Sequence, residues 1–300
     1  MMVDSTKSGI SSKKSKIAIF LLILTTILWG TSFVITKSIT EQVPIFLYIS
    51  LRFAIALIGF LPFFAHLRYL KKKILVMAFI TGMLYFFGFA IQTFGLQTTT
   101  AGKTGFITGL STVIVPFITW ILYKKTIGWR LWVAIALSVV GMAFLLLENE
   151  AGVVIGDILV LICAFFWAFF IIYNDKYVRL VDLYAYSIIQ IIVICCSGFI
   201  CSLILRESFT LFSVSSGMWY LMIYMGIIVM TLTILFQNWS QQYQGATQTA
   251  LIFTLEPVFA VLFDYFIRGT ILSFFGWLGC GLVFIAILIT VLKSNNNTIP

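Results

Sequence analysis

The chain is expected to be an all-α integral membrane protein, with ten transmembrane helices arranged as two five-helix inverted repeats. Three observations lead there: the composition, the count of long apolar runs, and a weak internal repeat. Of 300 residues, 61% are hydrophobic and 17% aromatic, while Asp, Glu, Lys and Arg make up only 10%. The mean hydropathy is +1.10. A soluble domain carries about 25% charged residues and needs them to cover its surface. This chain needs the bilayer as its second solvent. A soluble enzyme, a disordered tail and a secreted disulfide scaffold are excluded on composition alone.

A spanning helix takes about 20 apolar residues. Ten such runs occur, at 17–36, 45–65, 74–94, 104–123, 129–147, 156–174, 184–205, 218–236, 247–267 and 273–292. They are continuous and not alternating, which excludes an outer-membrane barrel. The first run follows Lys13, Lys14 and Lys16 but has no small-residue cleavage site after it, and it reads as an uncleaved first helix. Residues 1–16 form an N-terminal tail, expected to be unstructured and suited to anionic lipid; residues 293–300 form a C-terminal tail.

The net charge of +9 reports topology and not nucleic acid. With the N-terminus taken as cytoplasmic, 14 Lys and Arg fall on inner segments and four on outer ones: Lys37, Lys103, Arg206 and Arg268. This bias places both termini inside and calls for an even number of spans. The five cysteines lie inside apolar runs without metal-ligand spacing, and they read as small hydrophobes. No metal and no cofactor is expected.

Sliding the second half on the first by 145 residues aligns Gln92 with Gln237, Gln97 with Gln242, Thr104 with Thr249 and Trp132 with Trp277. An offset of 138 aligns Trp29 with Trp167, Tyr48 with Tyr186 and Arg52 with Gln190. The difference of seven predicts a longer loop in the second half. Repeats over 17–147 and 156–292 with five spans each enter the membrane from opposite sides. That is an architecture of alternating-access carriers.

Several short motifs then occur in a set order. In the first half they are Leu28-Trp29-Gly30-Thr31-Ser32-Phe33, Leu51-Arg52-Phe53 and Thr99-Thr100-Ala101-Gly102-Lys103-Thr104-Gly105-Phe106. In the second they are Gly156-Asp157, Phe166-Trp167-Ala168 and Leu255-Glu256-Pro257-Val258. In this order, from residue 17 to about 292, the chain resembles the EamA-type carriers of the drug/metabolite transporter superfamily. The resemblance implies a 5+5 inverted fold, a central cavity, and export or exchange of small organic solutes, with no single substrate.

Seven residues are candidates for substrate binding: Trp29, Arg52, Tyr85, Gln92, Trp167, Gln237 and Glu256. Glu256 lies near the middle of its span, where a charge faces a cavity or a partner. It is also the candidate for proton coupling; the competing reading is a neutral or paired carboxyl at a kink made by Pro257. Arg52 either holds a substrate carboxylate, ties helices by pairing with Asp264 or Glu256, or reaches the interface by snorkelling, and the tie is the favoured reading. Trp29, Trp167, Tyr85, Phe86 and Phe89 either line a cavity for apolar or cationic solutes or pack helices. The glutamines 92, 97, 237, 241 and 242 bind ligand or cap helix turns, with capping favoured. Gly105 and Gly109 read as a close helix contact, and Asp157 as a cap.

No Walker-type loop and no His-Glu-x-x-His pattern occurs, so the chain reads as neither an ATP-driven pump nor an enzyme. The first span has no acidic residue, unlike the small multidrug relatives. A single buried cation disfavours phosphorylated substrates. The expectation is a secondary transporter for an amino acid or other amphipathic solute in the cytoplasmic membrane. Its partners are that solute and membrane lipid; a homodimer is compatible and nucleic acid is not expected. An accessory scaffold and a nucleotide-sugar or phosphate exchanger are the alternatives.

Overall fold

A computed structural model describes residues 4–124, 128–146, 154–208, 215–268 and 273–294. Among them all regular structure is helical. In hydrocarbon every backbone N–H and C=O must be paired within the segment, and a helix does this without a neighbour. The helices are α1 (Asp4–Thr40), α2 (Ile45–Gly59), α3 (Lys72–Thr98), α4 (Ala101–Gly109), α5 (Ser111–Tyr123), α6 (Trp129–Leu146) and α7 (Ile155–Val178). They continue as α8 (Leu183–Ile204), α9 (Ser216–Ile223), α10 (Leu232–Gln241), α11 (Ala246–Phe253), α12 (Leu255–Arg268) and α13 (Phe274–Ser294).

Seven stretches are long and apolar enough to cross a membrane: Lys13–Thr40, Lys72–Thr98, Ala101–Leu122, Ile155–Val178, Leu183–Ile204, Ser216–Gln241 and Ala246–Phe263. Trp129–Phe144 and Phe274–Ala286 are shorter apolar helices. Large apolar side chains such as Phe20, Ile58, Phe79, Trp120, Ile204 and Phe284 point outward. A surface of this kind belongs against lipid, and the chain is a multi-pass membrane protein.

The expected second span, 45–65, is not one helix. α2 stops at Gly59, and the chain turns by 85° into a 3-10 helix over Leu61–Tyr69; counted together, the pair makes an eighth span. Pro62 interrupts the helix there: it has no N–H to give the preceding turn, and it disfavours α geometry in the residue before it. The partner helix α8 does not break and has 22 residues against 15 in α2. The seven-residue difference in offset therefore coincides with extra helix, and no longer loop is needed to explain it. The N-terminal tail also departs from expectation. α1 runs as helix from Asp4, and Gln244 holds it at Ser15 by bonds of 2.9 Å to the carbonyl and 2.7 Å to Oγ. The C-terminal tail beyond Ser294 lies outside the described residues.

Three other spans carry interruptions. α4 meets α5 at Leu110, and α11 meets α12 at Thr254. Between α9 and α10 a π-helical segment, Tyr224–Thr231, holds its extra residue through Thr231 Oγ1, which donates to the carbonyl of Ala56 at 3.0 Å. Pro257 is the third residue of α12, in a first turn where its missing N–H leaves no bond unmade.

α3 packs along α7 and α8, α2 along α8, α6 along α13, and α1 along α10 and α12. Glycines set the closest crossings. A Cβ on Gly30 of α1 falls 2.8 Å from Phe259 Cβ and 3.1 Å from Ala260 N of α12. Gly105 meets Pro257 at an ordinary 3.6 Å, so the Gly105/Gly109 pair does face a helix, α12. Gly281, by contrast, has nothing within 4 Å. Overpacking costs about 1–3 kcal/mol. Gly30→Val is therefore expected to lower the thermal unfolding midpoint of the purified protein, while Gly281→Ala leaves it unchanged or raised.

Candidate functional site

α1 presents Trp29, Ser32, Phe33 and Thr36 on one face, spaced i, i+3, i+4 and i+7. α3 presents Tyr85, Phe89, Gln92, Thr93 and Leu96 with the same period. These two faces form the sides of a cavity with an empty volume of about 710 Å3, mouth included. Its floor and remaining walls come from Thr108, Ser111 and Thr112 at the α4–α5 break, Trp167 and Ile171 of α7, Met230, Gln237, Phe253 and Glu256. All seven candidate residues therefore line one space: Trp29, Arg52, Tyr85, Gln92, Trp167, Gln237 and Glu256.

An aromatic wall runs through the middle. Trp29 lies 4.8 Å from Phe253 and 6.3 Å from Trp167, ring centre to ring centre. Trp167 meets Tyr85 edge-on at 4.7 Å, and Tyr85 meets Phe53 and Phe170 the same way. Phe86 packs instead on Phe46 and Phe87, away from this wall.

Arg52 has 0% exposure. Its NH1 donates to Tyr48 OH at 2.7 Å and Thr36 Oγ1 at 3.2 Å, and its NH2 donates to Ser32 Oγ at 3.0 Å. Its guanidinium sits 5.0 Å from the centre of the Phe89 ring. Arg52 is thus a tie from α2 to α1, made through hydroxyls. Among the described residues no carboxylate lies within 4 Å of it, so the expected pair with Glu256 is absent; the side chain of Asp264 lies outside the described residues. Nε has no partner. Charge-assisted bonds to hydroxyls lower the cost of burial but leave the charge uncancelled.

Glu256 opens α12 at the break after Thr254, with its side chain toward the cavity. No partner is within hydrogen-bond or ion-pair distance of its carboxyl among the described residues. Gln237 Nε2 and Thr112 Oγ1 are buried without partners and also line the cavity. Gln92 donates to Thr108 Oγ1 at 2.8 Å. The favoured capping role holds for Gln242, whose amide donates to the last carbonyls of α7 at Val178, 3.2 Å away. Gln97 reaches Thr40 at the end of α1 at 2.9 Å.

A second buried cluster fills the opposite half of the bundle. Tyr186 OH donates to Asn174 Oδ1 at 2.9 Å, and Gln190 Nε2 donates to the same oxygen at 3.0 Å and to Thr81 Oγ1 at 2.8 Å. Asn174 Nδ2 donates to Asn238 Oδ1 at 2.8 Å and also to Gln241. Asn238 Nδ2 donates to Ser187 Oγ and Gln190 Oε1, each at 2.8 Å. Reasoning from the sequence overlooked Asn174 and Asn238. The available signal was their position inside apolar runs, where an amide must find partners.

At the C-terminal end of α1 a third cluster closes the packing. Lys37 Nζ donates to the carbonyl of Thr99 at 2.8 Å. Lys103 pairs with Asp157 at 3.5 Å, and Thr99 Oγ1 donates to the same carboxylate. Asp157 also accepts from Val154 N at 3.0 Å, the expected cap; the ion pair was not foreseen. Of the cysteines, Cys163 and Cys280 are buried as expected, whereas Cys196 is exposed on the outer face of α8. No metal-binding group occurs among the described residues.

The comparisons agree with this architecture. A solved structure described as "Crystal structure of protein" superposes with a TM-score of 0.73 at 17% identity, covering 92% of this chain and 98% of that one, which speaks to the fold alone. An "Uncharacterized transporter" of Archaeoglobus fulgidus is 31% identical over 277 residues, 91% of this chain and 85% of the relative. The profile of the EamA-like transporter family matches residues 16–147 and again 154–292. The chain is a transporter and not an enzyme, and it belongs to the EamA-like transporter family.

Proposed function

We propose that the chain is a secondary carrier that moves a small organic solute, an amino acid or similar amphipathic molecule, through the cavity between α1, α3, α7 and α12 by alternating access. The observation that carries this reading is the pairing of that cavity with the amide cluster in the opposite half. At an offset of 138, Thr36, Tyr48 and Arg52 correspond to Asn174, Tyr186 and Gln190. The hydrogen bonds correspond as well: a tyrosine hydroxyl and the residue at position 52 or 190 converge on the residue at 36 or 174. Gln97 reaching Thr40 is matched by Gln242 reaching Val178.

The packing is paired in the same way. α3 on α7 is answered by α10 on α1, and α4 with α5 on α7 by α11 with α12 on α1. α2 on α8 and α6 on α13 are their own counterparts. The two successive family matches support the same division, with ten spans, five in each inverted repeat over 17–147 and 156–292. In this reading the cavity and the amide cluster are the same place in two copies of one structure, one loosened and one shut. Exchange of the two arrangements alternates access.

The cation count supports cytoplasmic termini in the cytoplasmic membrane. The cavity then lies toward the outer face, since its α1 residues run from Trp29 to Thr36. Glu256 is the proton-coupling group of the proposal, standing at the break in the ninth span with its carboxyl open to the cavity. Cavity-facing Trp29, Arg52, Tyr85, Gln92, Trp167, Gln237 and Glu256 form the substrate site.

Proteoliposomes given pooled labelled amino acids, amphipathic cations and phosphorylated metabolites test the reading. Saturable uptake of one class is expected; no uptake of any class by folded, inserted protein overturns it in favour of an accessory subunit. A pH gradient is expected to change the rate in the native protein and to leave Glu256→Gln unaffected. Equal pH dependence in both removes Glu256 from coupling. Thr36→Cys is expected to react with a water-soluble maleimide added outside cells at least about tenfold faster than Asn238→Cys, and the reverse order overturns the assigned orientation or state.

A further inference from the structure

The cavity holds a guanidinium and a carboxyl group of opposite charge type, neither with a counter-ion among the described residues, and each is a departure from its counterpart. Gln190 stands where Arg52 stands in the other half and, as a neutral amide, makes the one corresponding bond, to Asn174 in place of Thr36, together with a bond of its own to Thr81. Ser111 stands where Glu256 stands. Tying the helices therefore does not require the guanidinium charge, and starting the broken half-helix does not require the carboxylate. A lone charge in a low-dielectric site is costly. The two charges remain unpaired with each other because they sit at different depths.

Their depths follow from helix register. Gln244 meets Ser15, Phe253 meets Trp29, and Phe259 meets Gly30, so α11–α12 and α1 run parallel. Glu256 lies three residues before Phe259, roughly 4.5 Å below the level of Gly30 at 1.5 Å per residue. The Arg52 guanidinium bonds Ser32 and Thr36, whose midpoint is four residues beyond Gly30, roughly 6 Å above it. The charges are thus separated by about 10 Å along the helix axis. Tyr85 and the Trp29–Trp167–Phe253 rings stand on the wall between them. Arg52 Nε and Thr112 Oγ1 are left without protein partners.

Resting on the carrier reading above, we infer that the substrate is an elongated zwitterion: its anionic group is received by Arg52, its ammonium by Glu256, and its chain lies along the aromatic wall. Each charge-assisted contact spans about 2.8 Å. This leaves at least roughly 4 to 5 Å between the ligand's own charges, since any separation across the helix axis adds to it. An α-amino acid, with one carbon between its α-amino and carboxyl groups, cannot engage both residues through those two groups. An amino acid with its amine several carbons from the carboxyl can. Such a ligand neutralises both residues and is itself neutral overall, so the only charge moved per cycle is that of the coupled proton.

Titration calorimetry on the purified full-length protein tests this with glycine, γ-aminobutyrate, δ-aminovalerate, ε-aminocaproate, valerate and pentylamine. δ-Aminovalerate is expected to bind at least about tenfold more tightly than glycine, valerate or pentylamine, about 1.4 kcal/mol. Arg52→Gln, which copies the neutral counterpart Gln190, is expected to reduce its affinity to that of pentylamine, and Arg52→Lys to restore part of it. Glu256→Gln is expected to reduce it to that of valerate. Thermal unfolding of each variant checks that it is folded. Valerate, pentylamine or glycine binding as tightly as δ-aminovalerate overturns the inference, as does the absence of binding by every ω-amino acid. Saturable liposome uptake of another solute, with no ω-amino acid bound, overturns the zwitterion and leaves the carrier standing. Absence of uptake of any solute overturns both.

Discussion

The burial of one guanidinium organises the first half of the molecule. Arg52 is held at 0% exposure by Ser32, Thr36 and Tyr48, hydroxyl groups from two helices, and by the face of Phe89. Hydrogen bonds to a charged group contribute about 1.5–3 kcal/mol each. They hold α2 against α1 at one rotation and one height. That rotation turns Trp29, Ser32 and Thr36 inward together, and α3 completes the cavity through Phe89 and Tyr85. The charge is stabilised without being cancelled, which leaves a positive pole at one end of an apolar-walled space.

The second half applies the same geometry without charge. Asn174, Tyr186 and Gln190 form a closed set with Asn238, Gln241, Ser187 and Thr81. In a low-dielectric interior a network of this kind is stable when its groups find partners. The amides achieve this because each offers both donors and an acceptor, whereas a guanidinium only donates. The neutral set can therefore pack shut, and the charged set leaves Arg52 Nε unpartnered beside open space. In the carrier reading this difference is what makes one half tight and the other receptive.

The architecture was legible where it depends on composition and period. Runs of about 20 apolar residues in a chain this hydrophobic leave little alternative to spanning helices, and Trp29, Trp167, Gln92 and Gln237 stood out because such residues are uncommon inside apolar runs. The face formed by Trp29, Ser32, Phe33 and Thr36 is visible as a helical spacing once the helix is granted. The bend at Phe60 could be read only in part: Pro62 announces an interruption, but the 85° turn is set by packing on α8 and on the π segment. The π segment itself left no mark in Tyr224–Thr231, because it is held by Thr231 reaching Ala56 on another helix. The pairing of Lys103 with Asp157 was hidden for a similar reason: both residues read as interfacial, and only the crossing of α4 on α7 brings them together.

The two helix breaks explain why a carboxylate can stand at the centre of such a chain. α4–α5 and α11–α12 are interrupted at Leu110 and Thr254, nearly equivalent positions in the two halves. Each break ends one helix and begins another within a single span, with Leu110 and Thr254 themselves in right-handed helical geometry, so the second helix starts anew at mid-depth without a change of direction beyond 40°. Glu256 and Ser111 occupy those starts. A carboxylate at a helix N-terminus is favoured by the dipole, which offsets part of the cost of placing it in the interior. In a continuous helix at the same depth Glu256 would lack that support. The break thus gives the carboxyl group a place at a helix start, and Pro257 fits it because a first helical turn has no use for the N–H it lacks.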